Sequence, residues 1–142
     1  MNIHFSSPHQ YLFFHYHIKH LLVIWKKELR KDIYIVQDDN EESITVKYPG
    51  ETYRERVLQE IEAVFFQTLE MDQELFQVHL VATFPYQNQL IGIYQDAKDS
   101  QKQPFLFAIV DEELQELTDQ EYEQAWHIAL QEFPEYFRLE ER

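Results

Sequence analysis

From Leu75 onward apolar residues recur at every second position: Phe76, Val78, Leu80, Ala82 and Phe84, with Gln77, His79, Val81 and Thr83 between them. A period of two belongs to an extended strand, because successive side chains point to opposite faces. Pro85 and the run Gln87-Asn88-Gln89 then read as a turn. Residues 90–94 and 105–110 are near-continuous apolar runs, joined by the polar residues 96–103. Such runs suit strands covered on both faces. Residues 114–117 read as a short edge strand guarded by its flanking glutamates. Upstream, residues 33–36 and 44–48 are β-branched and aromatic, and the run Asp38-Asp39-Asn40-Glu41-Glu42 between them reads as a hairpin turn. Connections this short demand antiparallel pairing.

Helical patterns bracket and interrupt these strands. Ser7, Pro8 and Gln10 form a start signal, a capping box with proline at the first helical position. Tyr11, Phe14, Ile18, Leu21, Leu22, Trp25 and Leu29 follow at helical spacing, which predicts a helix over residues 8–31. Thr52 and Glu55 suggest a second capping box, ahead of Val57, Leu58, Ile61, Val64, Phe65 and Leu69 on one face. The predicted helix covers 53–70. Thr118 and Glu121 cap a third, with Tyr122, Ala125, Trp126, Ala129 and Phe133 inward and Pro134 closing it. The order is α-β-β-α-β-β-β-α. The expected class is α+β: a mainly antiparallel sheet of about five strands with three helices packed against it. No repeat, low-complexity tract or Pro/Ser-rich linker is present, so residues 1–142 are expected to form a single domain.

Charge divides that domain in two. The formal net charge is −14. Residues 1–31 hold five Lys or Arg against Glu28, a net +4, and residues 32–142 hold 7 bases against 25 acids, a net −18. The expected object is a basic aromatic N-terminal helix (1–31) on an acidic body (32–142). The acids are densest in 111–124, where Glu112, Glu113, Glu116, Asp119 and Glu123 are candidates for an acidic surface. A charge pattern is an argument about partners, not about fold.

Several function classes drop out. There is no cysteine, hence no disulfide framework, thiolate zinc site or cysteine nucleophile. Gly50 and Gly92 are the two glycines, too few and too isolated for a P-loop, a dinucleotide fingerprint or a nucleophile elbow. A pI near 4.8 argues against direct nucleic-acid binding through the whole surface. No secretory pattern precedes the apolar run, and the histidines and Lys19 interrupt it, so a cytoplasmic protein is expected.

Imidazoles and carboxylates offer the remaining chemistry. In His15-x-His17-x-x-His20 a helix makes neighbours of His17 and His20 but leaves His15 about 200° from His17. No regular structure gathers all three. His17 and His20 are the candidate metal ligands, and the expectation is no metal, no cofactor and no catalytic residue. The 38–42 loop lacks the glycine and the spacing of an EF-hand. Paired acids in turns lack the burial that a general acid needs. The serines have no visible base.

The predicted first helix is apolar on a second side as well, through Leu12, Phe13, Tyr16, Val23, Ile24 and Trp25, and a two-sided helix is buried or partnered. The function expected is therefore a non-enzymatic protein-interaction domain (an adaptor, chaperone-like or regulatory protein), as a homodimer with a protein partner. The alternative is an acidic nucleic-acid mimic that inhibits a DNA- or RNA-binding protein. A third is a small-ligand pocket or enzyme in the sheet–helix cleft. Membrane-surface association through the basic aromatic segment ranks behind burial of that segment against protein.

Overall fold

The computed structural model describes residues 9–25, 30–40, 42–99 and 101–137, and the chain forms two compact units, Met1–Glu62 and Ala63–Arg142. The class is α+β, with nine strands and two α-helices among the described residues.

In the first unit, β1 (Gln10–His15), β2 (Ile18–Trp25), β3 (Arg30–Asp39) and β4 (Ile44–Lys47) pair in sequence order as an antiparallel meander. α1 (Glu51–Ile61) follows. Leu12 stands opposite Leu21 and Phe13 opposite His20. Cross-strand partners share a face, so the register sorts the side chains. Leu21, Val23, Ile44 and Val46 cluster with Leu12, Tyr34 and Val36 on one side. Phe13, His15, His20 and Leu22 fall on the other, which meets α1 through Tyr53 and Glu60. Asn40 shapes the β3–β4 turn, its side-chain oxygen accepting from the Glu42 and Ser43 amides.

Among the described residues, strands replace the helix expected over 8–31. Residues 11–25 carry apolar side chains at alternate as well as helical positions, so spacing alone does not separate the two readings. Pairing decides it. Both faces of β2 are buried from His20 to Val23, which no single helical stripe would allow. Ser7 and Pro8, the expected cap, lie outside the described residues.

In the second unit, β5 (Phe66–Met71), β6 (Glu74–Tyr86), β7 (Gln89–Asp96), β8 (Phe105–Val110) and β9 (Glu113–Gln115) form successive antiparallel pairs. α2 (Asp119–Glu132) buries Ala125 and Ala129, and Phe133 behind it packs near Phe84, ring centroids 6.4 Å apart. Thr118 and Glu121 form the expected capping box. Pro134 ends α2 by opening a 3-10 turn over Pro134–Tyr136.

The second predicted helix is corrected at both ends. Its N-cap is Gly50, at φ 101 and with no side-chain cap bond, so the Thr52–Glu55 box does not form. It stops at Ile61, and after a 3-10 turn (Glu62–Val64) residues 66–71 enter β5. Pairing with residues 74–79 of β6 overrides the helical spacing of Phe65 and Leu69. Two α-helices therefore stand where three were predicted, and nine strands where about five were. No helix among the described residues is long and apolar enough to cross a membrane.

Candidate functional site

Two places gather chemistry or shape, one in each unit. In the first unit the β1–β2 hairpin and α1 enclose two imidazoles. His20 is fully buried, and His15 is 4% exposed. Their ring centroids are 6.2 Å apart in an edge-to-face contact. His20 lies between the rings of Phe13 and Tyr53, at 5.1 and 5.8 Å and within 17° of parallel to both. Its Nδ1 is 2.8 Å from the Ile18 carbonyl and its Nε2 is 2.7 Å from the Tyr53 hydroxyl.

Burial lowers both imidazoles to about 4. For His20 the Ile18 carbonyl pulls upward, and neighbouring His15 adds to the lowering. Burial also raises the Glu60 carboxyl, against the opposing charge of Arg56. His15 Nε2 lies 3.3 Å from Glu60 Oε2. With the ring held neutral, this is a contact between a neutral imidazole and a carboxyl rather than an ion pair. Tyr53 and Tyr16 are both raised, by burial first and then by Glu60. The shifts of His15, His20, Tyr16 and Tyr53 all lead away from neutrality, so none of these four becomes a base or nucleophile there. The two imidazoles form a neutral buried pair in which His20 is bonded at both ring nitrogens.

In the second unit a cleft of ≈ 370 Å³ opens between β5, β8 and the start of α2. Leu69 and Met71 come from β5, Phe105 and Phe107 from β8, Leu117 from the link after β9, and Tyr122 from α2. Glu70 and Glu116 are the charged residues of its described lining. The volume lies near the lower end of ligand sites, ~300–1,000 Å³. Beside it, the β5–β6 hairpin exposes Phe66 (44%), Met71 (45%) and Leu75 (71%). A second hollow, lined by Thr68, Leu75, Phe76 and Gln77 of this hairpin, holds Asp96, whose side chain accepts from the Lys98 and Asp99 amides. Burial pushes the Asp96 carboxyl up, but those amides and Lys102 more than offset it and leave it below its ordinary value.

The residues singled out from sequence scatter. Phe13 and Val23 are fully buried on opposite faces of the meander, and Leu12 and Ile24 are half-buried. Tyr16 is 46% exposed at the β1–β2 turn, and Trp25 is 37% exposed with its indole N–H donating to Asp32. The six do not make one apolar face. His17 is exposed in the turn while His20 is buried, and no group of three or more ligating side chains among the described residues could hold a metal ion. Glu112, Glu113, Glu116, Asp119 and Glu123 are all exposed, running from the β8–β9 turn into the first turns of α2. Sequence reasoning missed His15, Tyr53 and Glu60 as a cluster. Their signal was present, since Tyr53, Val57 and Glu60 share one helical face. The cleft had no comparable signal.

Comparison with protein-family models, with curated proteins and with solved structures finds no match to this chain.

Proposed function

We propose that the chain is a small non-enzymatic protein-interaction domain that works in the cytoplasm and engages its partner through the β5–β6 hairpin and the cleft beside it. The observation that carries this reading is the exposure of Phe66, Met71 and Leu75 on one hairpin. The register puts Phe66 and Leu75 on one face of the hairpin and Met71 on the other, where it lines the apolar cleft, and exposed apolar surface beside a cleft marks contact sites. β5 pairs with β6 alone among the described pairings of the second unit, and such a strand suits the addition of an extended partner segment. His20, held neutral by burial and bonded at both ring nitrogens, supports the non-enzymatic part. The expected homodimer rests on a two-faced helix, and strands stand in the place of that helix.

The test compares immobilised wild type with a Met71→Glu/Leu75→Glu double variant as bait. Both substitutions are at exposed positions, so the melting temperatures should match. A stoichiometric partner retained by wild type and lost by the variant supports the reading. Equal recovery by both baits refutes it.

A second reading, an acidic mimic of nucleic acid, draws on the five exposed carboxylates between Glu112 and Glu123. None of them forms an ion pair among the described contacts. Its partner would be a cationic nucleic-acid-binding protein, and binding would weaken steeply with salt. A complex that survives ~0.5 M salt unchanged, several times the ionic strength that already limits charge attraction to ~8 Å, would speak against it.

A further inference from the structure

We infer that the cleft of the second unit takes an extended apolar peptide segment of the partner that carries a lysine or arginine beside its apolar anchor. This rests on the interaction reading above and adds the chemistry of what binds. The walls define the anchor. Leu69, Met71, Phe105, Phe107, Leu117 and Tyr122 present hydrocarbon and aromatic surface around ≈ 370 Å³, where an apolar side chain gains by leaving water.

The rim defines the charge. Glu70 and Glu116 are both acids, and both are exposed. The second unit holds 16 acids against 4 bases, a net −12. Its described bases are Lys98 and Lys102, and neither lines the cleft. Lys102 is engaged elsewhere, with Nζ 3.5 Å from Asp96 and 4.3 Å from the centroid of the Phe76 ring. The described lining holds no cation of its own, so the ligand is the one to bring it. An anionic ligand would meet two carboxylates inside a field of its own sign, which costs affinity and slows encounter.

The form of the ligand follows from β5. One wall is the β5 segment Leu69–Met71, which ends at the exposed Met71. An extended peptide can follow that strand while alternate side chains enter the cleft.

The test is fluorescence anisotropy of the full chain with three labelled synthetic nonapeptides. One alternates Leu and Lys, one alternates Leu and Glu, and one alternates Ser and Lys. The Leu/Lys peptide should bind at least about tenfold more tightly than either of the others. Glu70→Gln/Glu116→Gln should weaken Leu/Lys binding by about threefold to tenfold, whereas Glu112→Gln/Glu113→Gln, an equal charge change outside the lining, should leave it unaltered. Leu117→Asp should abolish it.

Equal binding of Ser/Lys and Leu/Lys peptides would reduce the effect to bulk charge attraction and overturn the inference. Equal binding of Leu/Glu, with no response to the Glu70/Glu116 variant, would overturn the cationic partner. No peptide binding at all would overturn the inference, while the Met71→Glu/Leu75→Glu bait comparison would still decide the interaction reading by itself.

Discussion

His20 Nε2 accepts the hydroxyl hydrogen of Tyr53 at 2.7 Å, and the opposite ring nitrogen sets the direction of that bond. Nδ1 lies 2.8 Å from the Ile18 carbonyl. A carbonyl only accepts, so Nδ1 carries the hydrogen and Nε2 must accept. The neutral ring is satisfied at both nitrogens. A second proton would have to displace the donation from Tyr53 in a buried site.

Acid should therefore destabilise the protein through this cluster. His15 and His20 stand at about 4, against 6.5 for an ordinary histidine. The unfolded chain takes up these protons first, so their contribution is complete above pH 6.5, falls between pH 6.5 and 4, and is level below that. The slope is ~1.4 kcal/mol per pH unit for each ring. Glu60, raised by burial, opposes the trend, because the folded state binds its proton more readily. Urea midpoints should decline as pH falls through this window. His20→Phe keeps a ring between Phe13 and Tyr53 and should remove about half of the decline. An unchanged slope in that variant would mean that His20 is not the group that titrates.

Turn chemistry yields a second expectation. The two-residue turns Tyr16-His17, Asp72-Gln73, Gln87-Asn88 and Asp111-Glu112 all have both residues at positive φ, from 47° to 69°. This is the type I′ hairpin turn, which normally favours Asn-Gly or Asp-Gly. Holding a side chain in the left-handed region costs ~1–2 kcal/mol per residue. Gln73→Gly, which creates Asp-Gly at an exposed turn, should stabilise the protein by ~0.5–1 kcal/mol after the entropy cost of glycine. Thermal melts should show a gain of ~2 °C for a chain of this size. Gln73→Val should lower the melting temperature, and an equal response to both substitutions would contradict the strain argument.

Those turns also explain what could and could not be read in advance. β3, β4 and the span from β6 to α2 were legible because Asn40, Asn88 and the Thr118–Glu121 box punctuate the chain, although Pro85 lies inside β6 and not in the turn. β1–β2 and β5–β6 turn on Tyr16-His17 and Asp72-Gln73, which carry no glycine. Without a turn signal, the apolar residues on either side merged into apparent helices over 8–31 and 53–70. The same error hid the cleft. Leu69 and Met71 form one of its walls as strand residues, and β8, the link after β9 and α2 supply the rest from residues 105 to 122. The acidic exposure of 112–123 needed composition alone and was visible from the start.

Gly92 is required for close packing rather than for its backbone angle. A Cβ there would sit 2.8 Å from Tyr94 Cε1 and 3.1 Å from both Ile109 Cδ1 and Leu80 Cδ1. Alanine would ordinarily improve a strand, but here the overpacking should cost ~1–3 kcal/mol. Ile109→Val deletes one of the three opposing atoms, so adding it to Gly92→Ala should recover part of the loss. Chemical denaturation of the single and double variants reads this directly. Simple additivity of the two costs would show that Ile109 does not oppose the new methyl.

The same strand supplies the last test. Tyr94 is fully buried, and its hydroxyl donates to the Val64 carbonyl at 2.7 Å. Burial raises this phenol strongly, so it remains a donor at any ordinary pH. Val64 closes the Glu62–Val64 turn that hands the chain to β5, and this bond ties that turn to β7. Tyr94→Phe keeps the ring, including its edge-to-face contact with Phe107 at 6.1 Å, and removes only the donor. It should cost ~1–3 kcal/mol, the usual loss when a buried acceptor is left without its partner. Tyr94→Ala, which also empties the ring's volume, should cost ~3–5 kcal/mol. Hydrogen exchange should locate the effect, with faster exchange at the Leu80 amide, which donates to the Phe65 carbonyl at 2.9 Å. If Tyr94→Phe is neutral and exchange at Leu80 is unchanged, the phenol does not anchor the turn.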